Sequence, residues 1–157
     1  NYHAALDQRL GAAHRATEMI TEIYVPRAGL RNFMEAAAAT LRRAGMPVIY
    51  GTIRLIEQDE ESFLAWAREP WACIIFILHV EHTPAGLALA EVTFRALIDL
   101  AIAQGGSYFL TYHRWATRAQ VETCNPRFRE FLELKCRHDP EERFTSDWHR
   151  HHCALFA

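Results

Sequence analysis

Residues 71–81 read Trp-Ala-Cys-Ile-Ile-Phe-Ile-Leu-His-Val-Glu, and this stretch decides the fold. Apolar side chains fill both of its alternating sets of positions, which is typical of a strand covered on both faces. Thr83 and Pro84 follow as a helix cap and a first helical residue. The sequence therefore predicts a central strand followed by a long helix over Pro84–Gln104, which ends at Gly105.

Outward from this pair, further apolar periodicities predict the remaining elements. The predicted helices cover residues 2–16, 27–44, 117–124 and 126–137, and the other predicted strands cover residues 20–25, 48–56 and 107–113. From residue 20 onward the order is strand, helix, strand, strand, helix, strand. This order predicts an α+β fold of the ferredoxin-like, split βαβ type, with both long helices on one face of an antiparallel sheet. After Asp139-Pro140 we expect an irregular tail.

Composition limits the classes of protein to which the chain can belong. With 157 residues, half of them apolar and 23% charged, residues 1–157 have the size and balance of a single domain. The net charge of -2 gives no electrostatic basis for binding nucleic acid or an anionic membrane. We expect a cytoplasmic protein without a membrane span, because no apolar run is long enough and no signal-peptide layout is present. Its four cysteines are widely scattered, so we expect free thiols.

The predicted strand 48–56 places different chemistry on its two faces. Alternation puts Ile49, Ile53 and Leu55 against the helices and Tyr50, Thr52 and Arg54 on the opposite face. A guanidinium in that position is solvated, paired in a structural salt bridge, or aimed as a planar fork at an oxygen of a bound molecule.

The histidines are candidates for chemistry near neutral pH. His79 is either a hydrogen-bonded core residue or part of a site, and His113 is either bonded to a backbone carbonyl at a strand end or a group that orients substrate. Metal-ligating residue types also crowd the tail at His149, His151, His152 and Cys153. We expect no native metal site there, because consecutive side chains converge poorly on one ion.

Four segments carry a resemblance to a known family. They are Tyr50-Gly-Thr-Ile-Arg54, residues 105–115 (Gly-Gly-Ser-Tyr-Phe-Leu-Thr-Tyr-His-Arg-Trp), Asn125-Pro-Arg-Phe128 and residues 135–148. Together they resemble the C-terminal part of FAD-linked oxidases of the vanillyl-alcohol oxidase and p-cresol methylhydroxylase type. No segment resembles the flavin-binding domain of that family. The resemblance implies the C-terminal substrate domain of a longer FAD-dependent oxidoreductase, which oxidises a hydroxyl-bearing carbon by hydride transfer to flavin. FAD would be bound mainly by the other domain, so residues 1–157 alone would be inactive.

The same resemblance implies roles for residues on the strand 48–56. Arg54 matches the arginine of a Glu-x-Arg pair found in the sugar-alcohol and aldonolactone branch, and Thr52 stands where that branch has the acid. Arg54 is therefore a catalytic candidate, and Tyr50 and Thr52 are substrate-binding candidates. A polyol substrate that depends on the acid is placed in doubt by Thr52.

Further roles implied by the resemblance fall on His79, His113, Ser146 and Trp148. His79 and His113 are catalytic candidates, and Ser146 and Trp148 are cofactor-binding candidates. The family pattern favours a hairpin that turns near residues 68–70 and brings Arg54 close to opposite His79. A turn at residues 59–60 would instead separate the two side chains.

A second hypothesis comes from a different class of protein. The chain would then be a self-contained ferredoxin-like domain, which binds a small molecule or regulates a partner and dimerises through its open sheet face. The fold alone does not decide between the two hypotheses, because this arrangement serves many functions.

Overall fold

The computed structural model describes residues 2–157, apart from the side chain of His3. Its helices are α1 (Tyr2–Leu10), α2 (Leu30–Ala44), α3 (Pro84–Ile102), α4 (Arg118–Cys124), α5 (Phe128–His138) and α6 (Asp147–Phe156), and its strands are β1 (Ala16–Pro26), β2 (Val48–Ile56), β3 (Trp71–Glu81) and β4 (Ser107–Tyr108). A short 3-10 turn, Arg27–Gly29, joins β1 to α2.

The four strands form one antiparallel sheet in the order β2-β3-β1-β4. Its two central strands are the longest, and they pair over their whole length from Ala16 opposite Glu81 to Pro26 opposite Trp71. Because α2 connects β1 to β2 and β3 lies between those strands, the connection is a split βαβ unit. The predicted α+β architecture and the central position of residues 71–81 are both confirmed.

The main hydrophobic core lies between one face of this sheet and the helices α2 and α3. Its buried members include Ile23 and Val25 of β1, Ile74 and Leu78 of β3, Phe33 of α2, and Phe94 and Leu97 of α3. Burying a side chain of this size contributes on the order of 1.5–3 kcal/mol. Since both helices share this core, the prediction that they pack on the same face is confirmed.

The ends of the two long helices follow the predicted signals. The hydroxyl of Thr83 accepts a hydrogen bond from the backbone N–H of Gly86 at 2.9 Å, and Pro84 occupies the first turn. At the other helix, Gly45 ends α2 with a φ of 66°, which favours glycine. Among residues 2–157 no helix is both long and apolar enough to cross a bilayer.

Four predictions about these elements are wrong, and one of them is the start of the first strand, which begins at Ala16 rather than at residue 20. The first helix ends at Leu10 rather than at residue 16, since Gly11 turns the chain with a φ of 64°. The fourth strand has only two residues instead of seven, and the carbonyl of Leu110 accepts its hydrogen bond from the indole of Trp148 at 2.9 Å. The expected irregular tail contains α6, which packs Trp148 and His152 against Phe128. The N–H of Phe109 still donates to the carbonyl of Glu22 at 2.9 Å, and beyond that bond a contact with the tail replaces the expected sheet pairing.

Candidate functional site

The open face of the sheet, on the side away from α2 and α3, carries the predicted polar side chains of β2. Tyr50, Thr52 and Arg54 lie opposite Ile77, Ile75 and Cys73 of β3. Cys73 and Ile75 belong to a second buried cluster that also contains Tyr24, Ala67 and Trp71 and is separate from the main core. The prediction that Tyr50, Thr52 and Arg54 face away from the helices is confirmed.

A β-bulge breaks the alternation at the start of β2. The register shifts between Val48 and Tyr50, and Ile49 lines a groove with Leu6 and Leu10 of α1. The predicted position of Ile49 against the long helices is therefore wrong, because a bulge inserts one residue and reverses the faces before it. Ile53 and Leu55 do lie on the helix side, although both side chains are exposed.

The centre of the open face holds a carboxylate with three hydrogen bonds. Oε1 of Glu22 accepts one from the hydroxyl of Tyr24 and one from the thiol of Cys73, each at 3.0 Å. Oε2 accepts one from the hydroxyl of Tyr112 at 3.3 Å. Glu22 is only 8% exposed. Because a buried carboxylate is costly unless hydrogen bonded, the three donors account for its presence in a central strand. We call these four residues the Glu22 cluster.

Local strand geometry assembles the Glu22 cluster. Glu22 and Tyr24 are two residues apart on β1 and so share one face, and Cys73 is the partner of Tyr24 on β3. Tyr112 comes from the segment after β4, where the N–H of Phe109 donates to the carbonyl of Glu22 at 2.9 Å and holds the chain beside β1.

The donors of the Glu22 cluster keep their protons. Burial, with the negative charge of Glu22 beside it, raises the pKa of the Tyr24 and Tyr112 phenols above the ordinary value for tyrosine. Burial and the hydrogen bond to Glu22 raise the pKa of the Cys73 thiol in the same direction. The three groups are therefore uncharged hydrogen-bond donors over the physiological pH range, and the thiol is a poor nucleophile.

Arg54 lies at the edge of the Glu22 cluster, directly opposite Cys73 on the neighbouring strand. Its side chain is exposed, and within residues 2–157 it has no carboxylate at ion-pair distance and no hydrogen-bond partner. By contrast, Arg27 is paired with Glu57 at 2.6 Å. The positive charge of Arg54 opposes the upward pKa shifts of Cys73 and Tyr112. The structure therefore excludes a structural salt bridge within residues 2–157 as the role of Arg54. The two remaining alternatives are a solvated charge and a group that binds an oxygen of a ligand.

His79 lies at the other end of the open face, beneath α1. Its Nε2 is 3.5 Å from Oδ1 of Asp7 and its Nδ1 is 3.6 Å from Oε1 of Glu18. Position 79 is six residues beyond Cys73, the partner of Arg54, which corresponds to on the order of 20 Å along a strand. The expectation that Arg54 and His79 lie close to opposite each other is wrong. The β2 ladder ends at Ile56, and residues 57–70 form a long loop.

His113 lies in the core on the helix side of the sheet. Its ring meets Phe94 of α3 edge to face at a centroid distance of 4.6 Å and stacks on Tyr108 at 5.9 Å. Burial lowers the pKa of His113 to about 4, so the imidazole is neutral at physiological pH. Its Nδ1 accepts a hydrogen bond from the backbone N–H of Trp115 at 3.4 Å. The partner is therefore a backbone N–H and not the backbone carbonyl that we expected as one alternative. The structure does not bring His113 together with Arg54.

The two cofactor-binding candidates have structural partners in the tail. The hydroxyl of Ser146 caps α6 by accepting from the N–H of His149 at 3.2 Å, and the indole N–H of Trp148 is bonded to Leu110. On the same helix, Nε2 of His149 lies 3.3 Å from the sulfur of Cys153. In the part of the chain that the structure describes, no three histidine, cysteine or acidic side chains gather as metal ligands.

No family model matches the chain, and no curated protein matches it.

The Glu22 cluster is the part of the site that sequence reasoning missed. A signal was present, since Glu22 interrupts a strand whose neighbours Ile23 and Val25 are buried, and acidic residues in such strands are rare unless they are paired. No comparable signal pointed to Tyr112, which reaches the cluster only through tertiary structure.

Proposed function

We propose that the chain is the substrate-binding domain of an FAD-dependent oxidoreductase that oxidises a hydroxyl-bearing carbon by hydride transfer to the flavin. The observation that carries the proposal is the position of Arg54. This unpaired guanidinium lies on the sheet face free of α2 and α3, opposite Cys73 of the Glu22 cluster. Arg54 supplies a cation that can bind an oxygen, and the Glu22 cluster on the same face supplies a carboxylate that can accept a proton.

The residues of the open face and of the tail differ in how well they fit contact with a substrate or with FAD. Arg54 would hold a substrate oxygen or stabilise negative charge on the reduced cofactor, and Tyr50 and Thr52 lie on the same face of β2. Ser146 and Trp148 fit less well, because their polar groups are already bonded within the tail. FAD, when bound by its own domain, supplies the hydride acceptor. Contact with it from this chain is therefore expected at Arg54.

The alternative of a domain that dimerises through the open sheet face has less support. α1 covers one end of that face above His79, and the loop 57–70 covers part of the other end, where Trp66 meets Tyr24 edge to face at 5.7 Å. With both ends covered in this way, the open face leaves less flat area for pairing with a second sheet.

Expression of the complete gene product that contains this chain tests the proposal. The purified protein should show the visible absorbance of oxidised flavin. Under anaerobic conditions this absorbance should bleach with at least one member of a panel that contains xylitol, an aldonolactone, vanillyl alcohol and D-lactate. Residues 1–157 expressed alone should be colourless. A gene product without flavin, or flavin that no hydroxyl compound reduces, would contradict the proposal.

A further inference from the structure

We propose that Tyr112 receives the proton of the substrate hydroxyl and passes its own proton to Glu22. The inference rests on the proposed function and assigns a proton path to the same site. Tyr112 is then a catalytic residue that touches the substrate, and Glu22 acts through it.

The hydrogen bonds of Glu22 leave one oxygen with room for a proton. Oε1 already accepts from Tyr24 and Cys73, whereas Oε2 accepts only from Tyr112. A carboxylate oxygen has two lone pairs, so Oε2 is the atom on which a proton can be placed. The 3.3 Å separation between this oxygen and the Tyr112 hydroxyl gives a direct path between them.

Exposure decides which of the two groups meets the substrate. Glu22 is 8% exposed, whereas Tyr112 is 39% exposed and lies between the carboxylate and solvent. A substrate on the open face therefore reaches the phenol before the carboxylate. Because Tyr112 remains protonated at rest, it accepts a proton only as it gives up its own.

The other candidate bases are in the wrong place or lack the chemistry. Thr52 carries no acid, His79 lies far along β3 between two carboxylates, and His113 is buried on the helix side. The strand register relates Glu22 to the substrate-binding candidate Thr52. Thr52, Ile75 and Glu22 form one row across β2, β3 and β1. Glu22 therefore lies on the same row of the sheet as Thr52 and two strands away, about 10 Å to the side.

The step balances in atoms and electrons. With FAD bound by its own domain, the C–H bond of the carbinol carbon would break and its hydride would reduce the flavin. The O–H bond breaks, its proton goes to the Tyr112 oxygen, and the phenolic proton goes to Oε2 of Glu22. The carbinol becomes a carbonyl compound, and Arg54 is placed to bind an oxygen of the substrate.

The primary test is Tyr112→Phe in the complete flavin-loaded gene product, assayed with the best substrate of the panel above. We expect kcat to fall about 100-fold, the lower end for loss of general acid–base catalysis, with KM nearly unchanged. Tyr108→Phe makes the same chemical change in the helix-side core and should retain wild-type turnover. Full turnover in Tyr112→Phe would overturn the inference while leaving the proposed function intact.

A second test examines Glu22 without relying on turnover. The difference in tyrosinate absorbance between wild type and Tyr112→Phe isolates the ionisation of Tyr112. Glu22→Gln should move that ionisation to lower pH, because the carboxylate charge is one cause of the raised Tyr112 pKa. In kinetics, the double variant that combines Glu22→Gln with Tyr112→Phe should be no slower than Tyr112→Phe alone. An unchanged Tyr112 ionisation, or multiplicative losses in the double variant, would refute the path. A gene product that oxidises no alcohol would defeat the proposed function and this inference together.

Discussion

The thiol of Cys73 donates a hydrogen bond to Oε1 of Glu22 across the pairing of the two central strands. This contact makes Cys73 a structural donor in the Glu22 cluster, and burial beside a carboxylate raises its pKa. A thiol in such surroundings reacts slowly with electrophiles.

The first prediction concerns thiol reactivity. Each of the four cysteines is a free thiol, and Cys136 is the exposed one. We expect a disulfide reagent to modify Cys136 first and to reach Cys73 and Cys124 only after denaturation. Timed labelling followed by peptide mass analysis measures this order, and Cys136→Ser should remove the fastest phase. Early labelling of Cys73 in the folded protein would show that the Glu22 cluster is open.

The second prediction concerns Arg54 in the intact flavoenzyme. Arg54→Ala should reduce turnover about 30- to 1000-fold, which corresponds to a loss of ~2–4 kcal/mol of transition-state stabilisation. Arg54→Lys should recover little, because lysine lacks the planar fork. Steady-state kinetics and thermal unfolding check both variants. The matched control is Arg31→Ala on the exposed surface of α2, where Arg31 pairs only with Glu35 at 3.5 Å. Near-normal turnover in Arg54→Ala would show that Arg54 is a solvated charge without a catalytic role.

The third prediction tests the start of α3. Thr83→Ala removes the hydroxyl that accepts from Gly86 and should lower the free energy of unfolding by about 1 kcal/mol. Urea denaturation followed by circular dichroism measures the change. Thr123→Ala, at an exposed position inside α4, removes the same atoms without removing a cap and should leave stability nearly unchanged or slightly higher. Equal effects of the two substitutions would argue against the cap.

The fourth prediction concerns His113 and pH. Its pKa is about 4 in the folded chain and about 6.5 when unfolded, so the unfolded state binds more protons between these values. Stability should therefore be fully present above about pH 6.5 and should fall toward pH 4, by up to about 3 kcal/mol from this group. His113→Phe should flatten this part of the pH dependence in urea titrations. His138→Gln, at an exposed position, should retain it. An unaltered slope in His113→Phe would show that the imidazole is not the responsible group.

Much of the fold follows from local sequence patterns, and most of the site does not. Residues 48–56 and 71–81 have the bounds that their patterns predict, because each strand is bordered by glycine, proline or polar residues. The two-residue length of β4 could not be predicted from local sequence, since the carbonyl of Leu110 is bonded to Trp148, 38 positions further along the chain.

The candidate site shows the same division between local and long-range information. The outward face of Arg54 follows from strand alternation, and the structure confirms it. Its distance from His79 depends on where the β2–β3 ladder ends, and no local pattern determines that. Tyr112 lies ninety positions from Glu22 along the chain. A contact of that range comes from packing and not from local sequence.

The bulge at Ile49 affects how the chain tolerates changes in length. An extra residue at the start of β2 is already accommodated there, between a helix end and the regular ladder that begins at Tyr50. Gain or loss of a residue in the α2–β2 connection can therefore be absorbed without changing the partner of Arg54 on β3. The same change between Tyr50 and Arg54 would turn the guanidinium toward the helices. The orientation of Arg54 therefore depends on the register from Tyr50 onward and not on the number of residues before the bulge.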